Sequence, residues 1–530
     1  MRAWKLISLA ALLGLPLTLS LSAPATAQDR ERSAAEEKED EEREEAFEDY
    51  TEVLESGNKA AAADALVAMI DDEELEDWHG EAWGLLGDLM VDLQLPYSAL
   101  AAYRQALSTD PDTMEAVGKK ALDLGDSTGD SAYLSSVFAA NVGLAASSDQ
   151  RSRVAWLGAR EAYRNGELAT ALAALTMVET GSEVYTNSQL MKGVVLSQQS
   201  RHSDALPPLL TAASLAETAG DQELVNLTNL NVARAYYAMG VTTYDREGLG
   251  AAAGSFARSS EYYERVPRDS HLWPQAQFER AWTHYRLEDL SGALGYLQTH
   301  VSPFFEDWYF PEAKMMRIYA LFLLCKFPEA SKQVEDFKTH YNPVRDEVAP
   351  VLMSMDAQAV FDDAVAYTRG GEHRLPEMFL RDYSNDERLL ATLAAVASAD
   401  DELQRLASVA SSDFAEPIGA LIRDRRQELV QREGERMKAR MESMIDDVDG
   451  WLQDTDILKL DMLKFETRLY EQAAATGAFE DPRALARRKL RRSPNQLAWA
   501  YEGEQWADEL GYYQIDAKPE CPASMQAGGN

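Results

Sequence analysis

The chain has 530 residues, 46% of them apolar, and a formal net charge of −38. That length leaves room for two or three domains and a sizeable core. So acidic a surface opposes nucleic acid and anionic lipid, both of which call for clustered Lys and Arg. The two cysteines, Cys325 and Cys521, are too few for a disulfide framework or a four-ligand zinc site. One falls in an expected helix pair and the other in a tail, so they are not expected to bond to each other.

In chain order, Arg2 and Lys5 open a basic start, Leu6 to Leu21 is apolar, and Ala25-Thr26-Ala27 ends the stretch in small residues. This is the three-part signal-peptide pattern, with cleavage after Ala27. No later stretch reaches the ~18 uninterrupted apolar residues needed to span a bilayer. The mature chain is therefore expected in the periplasm, without a transmembrane segment. Residues 28–42 are a charged, mostly acidic run, expected as a disordered leader.

A repeat dominates residues 43–345. In a unit starting at Gly80, Trp83, Leu86, Gly87, Met90, Ala99, Tyr103, Ala106 and Pro111 occupy offsets 4, 7, 8, 11, 20, 24, 27 and 32. Small residues at 8 and 20 let two helices approach, large ones at 4, 7, 11 and 24 fill the space between them, and proline ends the second helix. Weaker copies start at residues 43, 115, 152, 186, 226, 274 and 311, the sixth unit carrying an insertion of about seven residues. The pattern resembles the tetratricopeptide repeat (TPR), a 34-residue helix–turn–helix. The resemblance implies an all-α, right-handed solenoid of about eight helix pairs with a concave inner face, in a family made mostly of binding scaffolds.

Beyond residue 345 the repeat fades. Across residues 346–475, Ile418, Ile422, Leu429, Met437, Met441, Met444, Val448, Trp451 and Leu452 form an amphipathic stripe, and Ile457, Leu460, Leu463 and Leu469 read as a returning helix. The expectation is a hairpin or short coiled coil that caps the open solenoid end or binds a partner. The tail, residues 476–530, holds the basic run Arg483, Arg487, Arg488, Lys489, Arg491 and Arg492, which can serve as an internal counter-charge or a partner contact. Its motif from Gly503 to Tyr513, with Glu504, Trp506, Asp508, Glu509, Leu510, Gly511 and Tyr512, is similar to the terminus of exported deltaproteobacterial repeat proteins, some linked to gliding motility or envelope assembly. Three aromatics among acids predict a segment that packs back on the body with its polar groups in water.

No H-x-x-H pair, Walker sequence or G-x-S-x-G elbow occurs, so neither metal, cofactor nor enzymatic chemistry is expected. Three functions stay open: a scaffold binding a peptide or helix, a structural subunit of a motility, export or outer-membrane assembly machine, and an enzyme acting on cell-wall glycan through paired carboxylates. The partner expected is an envelope protein or peptide; the oligomeric state stays open. In the TPR family, positions 2, 5, 9, 12 and 13 of the first helix line the groove. The resemblance therefore places Trp156, Arg160, Tyr163 and Arg164 of one unit there, and Arg234 and Tyr237 of another. It adds Phe278, Trp282, Tyr285 and Arg286, then Met315, Tyr319 and Phe322. Aromatic and Arg anchors suit an acidic or C-terminal peptide segment. The family's Lys/Asn carboxylate clamp is not reproduced, and a register one residue off would make these aromatics inter-repeat core.

Overall fold

The computed structural model describes residues 38, 41–140, 147–408, 413–476, 505–515 and 517–519. The signal peptide with Ala27, most of the acidic leader, the basic run and Cys521 lie outside the described residues. Within the described residues all regular structure is helical.

Eight consecutive helix pairs come first. They are α1 (Glu48–Glu55) with α2 (Lys59–Ile70), α3 (His79–Asp92) with α4 (Pro96–Thr109), α5 (Met114–Thr128) with α6 (Ser135–Ala140), and α7 (Ser148–Arg164) with α8 (Leu168–Thr176). Then follow α9 (Tyr185–Gln198) with α10 (His202–Ala219), α11 (Gln222–Glu247) with α12 (Leu249–Glu264), α13 (Trp273–Arg286) with α14 (Leu290–Leu297), and α15 (Pro311–Leu323) with α16 (Phe327–Pro343). The chain is thus an all-α, TPR-like solenoid.

Two local devices explain why these residues form these pairs. A small residue in the first helix meets a large one sixteen positions on. A Cβ at Gly87, Gly193 or Gly240 would overlap Tyr103, Leu209 or Phe256 respectively. Ala159 with Leu175, and Ala281 with Leu297, keep that spacing inside single apolar clusters. The turn between the two helices uses one left-handed residue at a fixed position. Gly57, Gln94, Gly129, Gly166, Ser200, Glu288 and Cys325 have φ between +57° and +82°. In the sixth pair, α11 runs on for 26 residues and Gly248 takes the turn instead.

After the pairs come α17 (Ala349–Ser354), α18 (Ala357–Thr368), α19 (Glu377–Leu380), α20 (Glu387–Ser408) and α21 (Ala415–Thr476). The expected hairpin is absent: α21 is one helix of 62 residues, about 93 Å long. Its buried stripe runs unbroken from Met444 through Val448, Leu452, Leu458 and Met462, with no Gly or Pro between Leu452 and Thr476 to reverse it. Ile457, Leu460 and Leu463, read as the core of a returning helix, lie instead on the exposed face of the same helix.

Nor does α21 cap one end. It packs along α4, α15, α16, α17, α18 and α20, so it touches both early and late pairs. The joints are specific. Asp130, at the end of α5, holds Arg425 of α21 in a two-point ion pair with contacts of 2.7 and 2.9 Å, accepts from Tyr97 Oη at 2.8 Å, and is almost fully buried. Glu402 of α20 is fully buried and accepts from Tyr97 N at 2.6 Å and Ser98 N at 2.7 Å, capping the start of α4 from 300 residues away. At the other end Tyr309 Oη donates to the Met444 carbonyl at 2.6 Å, and Phe465 meets Phe322 edge-on at 5.5 Å. Gly434 of α21 lies so close to Ala357 that a Cβ would strike the Ala357 carbonyl.

The core divides accordingly. One large cluster runs from Phe47 to Leu157 and from Leu294 to Met462, uniting both ends of the solenoid through α20 and α21. The pairs between are held by small separate clusters.

Candidate interaction face

The residues expected to line a groove fall into three environments. The first is the fourth pair, where Trp156 and Tyr163 pack on the small core of α7 and α8. Arg160 lies 5.8 Å over Trp156, and Tyr163 Oη accepts from Gln198 Nε2 at 2.8 Å. Arg164 pairs with Glu161 at 3.2 Å, and Glu161 also receives Arg432 of α21 at 3.4 Å. Burial holds the Arg160 and Arg164 guanidinium groups below their ordinary pKa, and their repulsion adds to this at Arg164.

The second is a connected patch on α11, α13 and α15. Arg234 is exposed and grips Glu279 with contacts of 2.5 to 3.0 Å. Arg286 stands between Tyr237, whose hydroxyl accepts its Nε–H at 3.4 Å, and the Trp282 ring at 6.0 Å. Trp282 meets Tyr285 edge-on at 5.4 Å and donates to Glu312 at 3.0 Å. Burial raises the Glu312 pKa, with Asp447 of α21 and Glu279 pushing the same way. Tyr237, Trp282, Tyr285 and Arg286 are each half-buried. Phe278 is not part of this surface: it is 8% exposed and forms core with Ala281 and Leu297.

The third is the eighth pair. Phe322 is covered by Phe465, Tyr319 packs against the large core near Asp454, and Met315 is fully buried. Here the chain's own helix covers residues that the resemblance assigns to a ligand.

The tail does pack back, but through residues other than Trp506 and Tyr512, which stay exposed. Leu510 enters the cluster of Tyr263, Val266 and Trp273, Arg268 donates to the Asp508 carbonyl at 2.8 Å, and Ser291 Oγ donates to the Ala517 carbonyl at 3.1 Å. Between tail and solenoid lies a polar cleft of about 630 Å³ bordered by Arg280, His284 and Tyr513. Beside it Ser260 Oγ meets His284 Nε2 at 3.2 Å, and His284 Nδ1 meets Asp289 at 2.8 Å. This order resembles a hydrolytic triad, yet Ser260 sits within α12, whose backbone N–H groups are spent inside the helix. No free N–H pair flanks Oγ to hold an oxyanion. Asp289 also caps α14 by accepting from Gly292 N at 2.9 Å, which gives the chain of bonds a structural purpose.

Sequence reasoning missed Glu402, Arg425 and Gly434. Arg425 carried a readable signal: it stands between Ile422 and Leu429 on the apolar stripe, where a cation implies a buried partner. Cys325 departs from expectation as well. It is disulfide-bonded, while its place within a helix pair is as expected: its φ of +57° puts it at the turn between α15 and α16.

No described helix is long and apolar enough to cross a membrane, and no group of three or more potential metal ligands occurs among the described residues. No known family profile and no curated protein sequence matches the chain. Among solved structures, it is similar to a Rap protein crystallised in complex with competence and sporulation factor, at 11% identity over 74% of this chain and 99% of that one, TM-score 0.29. A circular tandem repeat protein with novel repeat topology aligns at 13% identity over 80% of this chain and 97% of that one, TM-score 0.12. Both likenesses are too distant to say more than the helical repeats already do.

Proposed function

We propose that the protein is an exported, non-enzymatic interaction scaffold of the cell envelope, and that its working surface is the patch of Tyr237, Trp282, Tyr285 and Arg286 on the middle pairs. The observation that carries this reading is the patch itself. Three aromatics and an arginine are joined edge to edge, half-buried, and left uncovered by α21, which packs on both sides of this stretch. Aromatics and Arg in that setting anchor partners because they bury large area at little cost in side-chain entropy. Export is supported by the basic, apolar and small-residue order of residues 1–27.

A photo-crosslinking residue at Tyr285, introduced in the producing cell, is expected to trap one discrete envelope protein. Trp282→Ala should abolish that adduct while helicity stays unchanged. No adduct, or one indifferent to Trp282, defeats the reading. Export is tested by sequencing the N-terminus of the mature protein, expected to begin at Gln28.

A further inference from the structure

A second surface exists only because the chain folds back on itself. Where α20 and α21 close on α7, four arginines from three helices converge: Arg160 and Arg164, Arg388 from the first turn of α20, and Arg432 from α21. Ion pairs fix the junction: Arg432 of α21 reaches Glu161 of α7 at 3.4 Å, and Arg436, one turn further on, holds Asp386 just before α20 at 3.0 Å. Arg160 and Arg164 are both held below the ordinary arginine pKa, burial first, with a neighbouring guanidinium group adding to it in each case. The carboxylates nearby do not suffice. Glu161 is shared between Arg164 and Arg432. Asp386 and Glu433 are both taken by Arg436, Asp386 at 3.0 Å. Glu387 and Asp126 exert their fields on Arg160 from beyond ion-pair distance. Arg160 and Arg388 are thus left without an ion-pair partner among the described residues.

Holding cations together without matching anions is costly, the more so when they are partly desolvated. The arrangement occurs in a chain whose formal charge is −38, where a carboxylate partner for every arginine would be easy to supply. An external anion with several carboxylates resolves the conflict, because guanidinium groups bind carboxylates through paired hydrogen bonds. Arg388 is exposed and Arg160 and Trp156 are half-buried, so the surface is accessible.

We infer that the junction of α7, α20 and α21 binds an acidic polypeptide segment, one presenting at least two adjacent Asp or Glu side chains, with Arg160 and Arg388 as its principal contacts. This deepens the scaffold reading by naming the chemistry of a partner, but it rests on other residues than the aromatic patch, so the two can fail separately. The site is composite. Arg160 and Arg388 lie 228 positions apart, and only the return of the C-terminal helices brings them together.

The test uses the full mature chain and a fluorescein-labelled hexaglutamate peptide, followed by anisotropy at low and moderate salt. Binding is expected in spite of the overall like charge, weakening steeply as salt rises. Arg160→Gln with Arg388→Gln should weaken it at least tenfold, whereas Arg258→Gln, a surface arginine elsewhere, and Trp282→Ala should leave it unchanged. Absence of binding, or binding unaffected by the double substitution while circular dichroism shows an intact fold, overturns the inference. Inorganic phosphate and phosphatidylglycerol vesicles serve as separate arms. Phosphate competing as well as the peptide at equal concentration of charge, or vesicles binding while hexaglutamate does not, would also overturn it.

Discussion

The two ends of the solenoid and its middle are stabilised differently although the same repeat builds both. The middle pairs rest on contacts sixteen residues apart and on small clusters of five to seven buried residues. The ends share one large core, closed by contacts such as Tyr97 with Glu402 and Asp130 with Arg425, some 300 positions apart. In a stack of repeats each unit is stabilised chiefly by its neighbours. Here the outer units are also stabilised through a helix that no repeat contains. The uncovered pairs, with the smallest cores, carry the half-buried aromatic patch.

Arg425→Ala is the strongest way to break this division. It leaves Asp130 buried without its cation, and a loss of about 3–5 kcal/mol is expected in urea unfolding. Hydrogen exchange should show α2 to α5 and α21 opening while α9 to α12 keep their protection. Equal loosening throughout would mean that ends and middle are one cooperative unit. Gly434→Ala attacks the same closure at the α18 contact, where the new methyl meets a carbonyl rather than a side chain, so about 2–3 kcal/mol should be lost.

Acid offers a way to sharpen the comparison at the joint between the seventh and eighth pairs. His300 is fully buried against Phe310 and donates from Nε2 to the Pro274 carbonyl at 2.9 Å. Burial is the main cause that lowers its pKa to about 4. The unfolded chain takes up this proton near pH 6.5 and the folded chain does not, so stability falls as pH drops below about 6.5. The slope is about 1.4 kcal/mol per unit, or about 2 kcal/mol by pH 5. Thermal unfolding of His300→Gln across that window should show a shallower slope than the natural protein; an identical slope would assign the acid sensitivity to other groups. The smallest effect concerns the repeat itself. Gln94 adopts φ of +60° where three other units use glycine, so Gln94→Gly should raise stability by about 0.5 kcal/mol in a calorimetric scan.

What could be read from the sequence was what is local. The starts of all eight units fall within about five residues of a first helix, because Gly87 with Tyr103 and Gly240 with Phe256 obey a spacing that one window contains. The C-terminal region could not be read that way. Ile457, Leu460 and Leu463 keep a helical spacing of their own, and the sequence alone does not show which of two apolar stripes is covered. The patch was legible residue by residue at Tyr237, Trp282, Tyr285 and Arg286, but not as a connected surface. The arginine junction was half legible: Arg160 and Arg164 were visible in the repeat register, whereas Arg388 and Arg432 belong to it only through closure.

The unbroken course of α21 has a mechanical consequence. Only twelve residues, about 18 Å of helix, separate Arg432, fastened to the fourth pair, from Met444, fastened to the start of the eighth. The pairs between must cover that short span by an outward path, as a bow is bent by its string. A free stack of helix pairs can stretch or coil under load; here a change of curvature also works against the Arg432 and Tyr309 contacts. Any partner that flattens or tightens the middle pairs therefore works against a fixed chord, and the stiffness it meets is set by residues it never touches.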